Sequence, residues 1–137
     1  MQTKDSELKK AAVRKAYGKI AASGAAGCCG GGSSCCGTSE ATTSADIGYS
    51  DLERASAPDG ADLGLGCGNP QAIASLRAGE RVLGLGSGAG FDAFLAARQV
   101  GPTGHVIGVD MTAEMIARAR ANGSRAALEQ VEFRLGE

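Results

Sequence analysis

Apolar positions recur along the chain with changing period, and the changes divide it into three stretches. Leu8, Ala12, Ala16 and Ile20 return every fourth residue, with Val13 and Tyr17 flanking the same stripe. That spacing predicts an amphipathic helix over 4–21 within an N-terminal segment 1–21. Lys9, Lys10, Arg14, Lys15 and Lys19 fill the other faces, and are read as a solvated lysine face rather than a surface for DNA or membrane. Tyr17 is read as a packing residue. Over 22–48 the pattern lapses into Gly, Ala, Ser, Thr and Cys, with Ile47 the only large apolar side chain. Such a stretch buries too little surface to offset the entropy of ordering it, which predicts a mobile linker.

The remainder, 49–137, carries the crisp pattern. Asn69 followed by Pro70 suits the cap and first turn of a short helix over 70–77. A short apolar run at 81–85 meets a cluster of glycines and reads as a buried strand. Residues 91–100 read as a helix offering Phe94, Leu95 and Ala97 to a core, and Gly101-Pro102-Thr103-Gly104 as a turn. A second strand runs from His105 to Val109 and ends at Asp110. Thr112 is placed to cap a helix through about Asn122, with Met115, Ile116 and Ala119 inward and Arg118 and Arg120 toward solvent. A third strand follows at 131–135. Strand, helix, strand, helix, strand is half of an open parallel sheet, an α/β arrangement.

Composition narrows the function classes. Of 137 residues, 22 are Gly and 25 Ala, and only 24 are Leu, Ile, Val or Phe, so the core is thin. The net charge of −1 lacks the excess typical of disordered chains, and the balance argues against a nucleic-acid partner held by a basic face. No apolar run reaches membrane-spanning length and no secretory leader is evident, which suggests a cytoplasmic protein with no membrane partner.

The candidate chemistry lies where the first strand of the sheet meets its helix. In Gly84-Leu85-Gly86-Ser87-Gly88-Ala89-Gly90 the glycines permit a sharp turn and let a nucleotide-like ligand approach the main chain. The free amides of the following helix start suit a phosphate or a carboxylate. Asp110, twenty residues past Gly90 and at the end of the second strand, is placed to accept hydrogen bonds from ribose hydroxyls. Two cofactor classes fit this spacing. Gly84-x-Gly86-x-x-Ala89 matches a dinucleotide fingerprint, and Gly86-x-Gly88-x-Gly90 matches S-adenosylmethionine enzymes.

Five cysteines form a second feature: Cys28-Cys29, Cys35-Cys36 and Cys67. Their odd number disfavours a disulfide framework, and their spacing does not match zinc knuckles. Thiolates on such a loop suit soft, thiophilic ions, the alternative being incidental cysteines in a low-complexity stretch. Cys67 stands between glycines that leave its sulfur open. His105, the only histidine, is read as structural, without a partner carboxylate.

The chain resembles the arsenite methyltransferases. The resemblance rests on Val13-Arg14-x-x-Tyr17-Gly18-x-Ile20-Ala21, the paired cysteines, Tyr49-Ser50, and Leu63-Gly64-Leu65-Gly66-Cys67-Gly68-Asn69-Pro70. It continues through 79–83, 85–92, Val106-Ile107-Gly108-Val109-Asp110-Met111-Thr112 and Val131-Glu132-Phe133. It implies a partial Rossmann-like class I methyltransferase fold and decides the cofactor for S-adenosylmethionine. It further implies Gly86, Ser87 and Gly88 at the cofactor's amino-acid end, Gly90 as a further cofactor-binding residue, Asp110 at the ribose and Met111 near the adenine. Cys67 would bind trivalent arsenic, with Cys28, Cys29, Cys35 and Cys36 as weaker candidates. The partners implied are arsenite or its thiol conjugates, with small thiols or a thioredoxin-type reductant.

Two departures from the family pattern stand out. Gly84 replaces an acid that normally organises the methionine end of the cofactor. Family members also continue well beyond position 137, so the expectation is a fragment with little or no turnover alone and the 81–85 strand at an open edge. A thiol-based arsenic(III) or soft-metal binding module and an NAD(P)-binding reductase fragment are the competing readings.

Overall fold

The computed structural model describes residues 2–24, 43–66 and 68–137. In chain order these hold α1 (Gln2–Ser23), α2 (Asp51–Ser56), α3 (Gln71–Ala74), β1 (Arg81–Leu85), α4 (Phe91–Val100), β2 (His105–Asp110), α5 (Ala113–Ala126) and β3 (Val131–Leu135). The three strands form one parallel sheet in the order β1-β2-β3, with α4 and α5 as the crossovers. This is the half of an open parallel sheet that the sequence predicts, and it agrees with the partial class I methyltransferase fold that the resemblance implies.

Register assigns the two faces of the sheet. Arg81 pairs with His105 and Val82 with Val106 across β1 and β2, while Val106 pairs with Val131 and Gly108 with Phe133 across β2 and β3. Val82, Val106, Val131 and Phe133 therefore share a face with α4 and α5. There they enclose a core built from Ala93, Phe94, Ala96, Ala97, Val100, Ile116 and Ala119. Phe94 and Phe133 meet edge to face at 5.4 Å. The many alanines explain how so few large side chains fill this layer: small residues bring the helices close to the strands.

The opposite face departs from expectation. β1 was expected to be buried, yet Leu83 and Leu85 are 62% and 76% exposed. They stand beside Ile107 and Val109 on the side away from the core helices. β1 is also an edge of the sheet, as expected. Its apolar run therefore reflects a strand lying open on one face and one edge among the described residues.

α1 packs on α5, but through a different line from the predicted stripe. Leu8 is 69% exposed, whereas Gly18 and Ala21 are buried. Tyr17, Ile20 and Ala21 join Leu63, Leu65, Ala89 and Met115 in a second apolar cluster. Gly18 passes so near α5 that a Cβ there would stand 3.1 Å from the Glu114 carboxyl. Arg118, expected in solvent, turns inward and donates to the carbonyls of Ala21 (2.7 Å) and Gly60 (3.1 Å). Lys10 and Arg14 pair with Glu137 at 2.6 and 3.0 Å.

The linker reading over 22–48 meets described structure at both ends. Residues 22–23 complete α1 and 44–48 form a turn in which Ser44 is buried and bonds Asp62. Residues 25–42 lie outside the described residues. α2 was not predicted; Ser50 and Glu53 close a capping box at its start. α3 is shorter than the 70–77 predicted, because Ser75 turns left-handed at φ 48°. Asn69 does cap it, its Oδ1 accepting the amides of Gln71 (3.0 Å) and Ala72 (3.3 Å).

Candidate functional site

The 86–90 loop leaves β1 and is pinned at several points. The Ser87 amide donates to the Val109 carbonyl at 2.9 Å, and the Gly90 amide donates to the Ser87 carbonyl at 2.9 Å. Gly86 and Gly88 have φ of 68° and 52°, where an L-residue is strained. At both, the place a Cβ would take has no atom within 4 Å, so the main chain presents a bare surface. Gly90 serves another purpose. A Cβ there would come within 2.6 Å of Phe94 and 2.7 Å of Phe133, so this glycine lets the loop rest on the aromatic pair.

Asp110 closes the loop from β2. Its Oδ2 accepts the Gly88 amide at 2.9 Å and its Oδ1 accepts the Thr112 amide at 2.8 Å. A carboxylate offers about four lone-pair sites, so each oxygen retains capacity for a further donor. Thr112, the expected cap of α5, makes no side-chain cap bond; the carboxylate at 110 receives its amide instead. Met111 follows, half-buried. The Ser87 hydroxyl is buried without a hydrogen-bond partner. Bare glycine backbone, an orphaned hydroxyl and an acid with spare lone pairs form a cradle that fits the carboxylate and ribose of a nucleoside-amino-acid cofactor.

Sequence reasoning missed the support behind this cradle. Asn122 is 1% exposed, and its Nδ2 donates to the Ala89 carbonyl at 3.1 Å while Arg125 donates to its Oδ1. The available signal was a polar residue on the line of Met115 and Ala119.

A second group of contacts lies at the start of α4. The hydroxyl of Tyr49 stands 2.5 Å from Asp92 Oδ1 and 3.1 Å from the Gly68 carbonyl, with its ring edge-on to Phe91 at 4.8 Å. Burial raises the Asp92 carboxyl above the usual carboxylate range; Asp62 and Glu53 push the same way, and the Tyr49 hydroxyl opposes them. Burial and the bond to Asp92 push the tyrosine hydroxyl upward too. Tyr49 belonged to the motifs read from the sequence but had no assigned role.

All five cysteines, Cys28, Cys29, Cys35, Cys36 and Cys67, lie outside the described residues. Among the described residues no group of His, Cys, Asp and Glu is gathered to hold a metal ion. His105 has a carboxylate neighbour after all: Glu132 on β3 lies 3.7 Å from its Nε2, an ion pair when the imidazole is protonated.

Similarities to known proteins agree with this geometry. A methyltransferase-domain family profile matches residues 76–137. An arsenite methyltransferase of Halobacterium salinarum is 55% identical over 147 aligned positions, which take in 98% of this chain and 36% of that protein. An arsenite methyltransferase of Aquipseudomonas alcaligenes is 44% identical over 52% of the chain and 21% of its own length. A solved arsenic(III) S-adenosylmethionine methyltransferase of Chlamydomonas reinhardtii is 34% identical over 66% of the chain and 29% of its own, with a TM-score of 0.47. The chain thus spans about a third of the length of the Halobacterium relative. By this kinship the chain is similar to the part of the arsenite methyltransferases with which it aligns, and its sheet and glycine loop have the arrangement of a class I methyltransferase domain.

Proposed function

We propose that this chain serves methyl transfer to trivalent arsenic, with the 86–90 loop holding S-adenosylmethionine and cysteine thiolates holding the substrate. The observation that carries the cofactor half is the bare backbone of Gly86 and Gly88 beside Asp110. Gly86, Ser87 and Gly88 shape the cradle for the amino-acid end and Gly90 completes the cofactor-binding loop, the Ser87 hydroxyl being without a hydrogen-bond partner and able to donate to a carboxylate. Asp110 takes the ribose hydroxyls on its spare lone pairs, and Met111 flanks the base. The bound cofactor supplies an electrophilic methyl group on a sulfonium. Arsenic held by Cys67, with Cys28, Cys29, Cys35 and Cys36 as further thiols, keeps a lone pair for attack in line with that methyl group. The protein contributes proximity and orientation rather than acid–base help.

In this reading 1–21 is a packing helix, 22–48 the thiol-bearing stretch of the sequence and 49–137 part of the methyltransferase domain. Arsenite or its thiol conjugates are the substrates, thiols the reductants, and the cytoplasm the compartment. No described helix is long and apolar enough to cross a membrane. Calorimetric titration of the chain with S-adenosylmethionine, NADH and arsenite tests the proposal. Heat with S-adenosylmethionine and arsenite supports it; heat with arsenite alone reduces the chain to a thiol module. Heat with NADH favours a reductase.

A further inference from the structure

The segment 68–74 has little apolar burial to fix it. Gly68 and Pro70 are exposed, α3 contributes no buried residue and Ile73 is 85% exposed. Polar contacts to two neighbouring elements settle its position instead. The Gly68 carbonyl faces the Tyr49 hydroxyl, Gln71 Nε2 donates to the Asp92 carbonyl at 3.2 Å, and Asn69 Nδ2 donates to the Gly48 carbonyl at 3.1 Å. Tyr49 is the hub. It is 4% exposed, and its hydroxyl lies within hydrogen-bond distance of both the Gly68 carbonyl and the Asp92 side chain in the first turn of α4, its one proton going to Gly68 when the group at 92 donates to the tyrosine oxygen. That turn begins where the glycine loop ends.

We infer that Tyr49 is a positioning residue, whose hydroxyl ties the backbone at Gly68 to Asp92 and so keeps that segment in register with the 86–90 loop. The inference rests on the proposed function in one respect: the register matters because residue 67 is the proposed arsenic ligand and the loop the proposed cofactor cradle. The ring and the hydroxyl have separable duties. The ring packs on Phe91 and helps form the fold, whereas the hydroxyl alone reaches both oxygens. A tie between the backbone next to residue 67 and the start of α4 would make the affinities of the two proposed ligands depend on one another.

The experiment compares the full chain with Tyr49→Phe, Asp92→Asn and Asp92→Ala. S-adenosylmethionine is titrated calorimetrically with and without saturating arsenite. In the unaltered chain arsenite should change cofactor affinity by roughly fivefold or more, the lower end of ordinary coupling between sites. Tyr49→Phe should keep cofactor affinity within about twofold when arsenite is absent and lose the coupling. Asp92→Asn, whose side-chain amide can donate to the tyrosine oxygen, should preserve the coupling, and Asp92→Ala should lose it. Full coupling in Tyr49→Phe, or none in the unaltered chain, overturns the inference. If the unaltered chain binds no cofactor, the proposed function fails separately, and amide hydrogen exchange decides the attachment. Faster exchange at 68–72 in Tyr49→Phe, with α4 still protected, supports it; unchanged exchange refutes it.

Discussion

Position 84 shows how one side chain is expected to set cofactor affinity. Gly84 is not among the left-handed glycines, and the nearest atom to an added Cβ is the Ile107 carbonyl oxygen at 4.0 Å. A Cβ at 84 therefore meets only ordinary contact. Gly84→Asp is expected to tighten S-adenosylmethionine binding by roughly tenfold, about 1.4 kcal/mol, in calorimetry; unchanged affinity would show that an acid here has no part in holding the methionine end. Asp92 yields a prediction in pH. Its carboxyl is raised in the folded chain, so its contribution favours folding below the usual carboxylate range and is lost as pH rises through the raised value. Asp92→Asn removes that dependence. Urea denaturation should show the variant gaining stability relative to the unaltered chain as pH climbs from the acid side through neutrality. The glycine loop and Asp110 were readable from sequence because their partners are near in the chain or at strand ends. Tyr49 and Asp92 were not, since they meet across 43 residues with no period to connect them.

Among the elements, the β-α-β-α-β run was legible because each apolar stretch is bounded by glycine, proline or a capping residue. α1 was half legible. Its helical period is plain, but the face could not be chosen when alanines occupy several sides, and contact with α5 selects Tyr17, Gly18 and Ala21 rather than Leu8. Leu8→Ser is therefore expected to change folding stability by less than about 0.5 kcal/mol. Ala21→Asp, which places a charge in the cluster with Met115 and Leu63, should cost about 3 kcal/mol or more in the same urea titration. Equal effects of the two would put the packed face where the four-residue stripe suggests. α2 carried a sequence signal in Ser50 and Glu53 three apart, but it has no apolar stripe to draw attention to it.

At the level of the whole molecule, the helices cover one side of the sheet and leave Leu83, Leu85, Ile107 and Val109 on the other. A continuous apolar run such as that of β1 ordinarily marks a strand covered on both faces, so the sequence did not show that Leu83 and Leu85 stand exposed among the described residues. An open strand edge beside exposed leucines favours association of the chain with itself. Leu83→Lys with Leu85→Lys should lower the scattering mass in dynamic light scattering, and an unaltered mass would exonerate this surface. The glycine cradle hangs from the carboxyl ends of the strands, around the corner from that surface. Mild surfactant coating the naked leucines ought consequently to improve solubility while sparing nucleoside uptake.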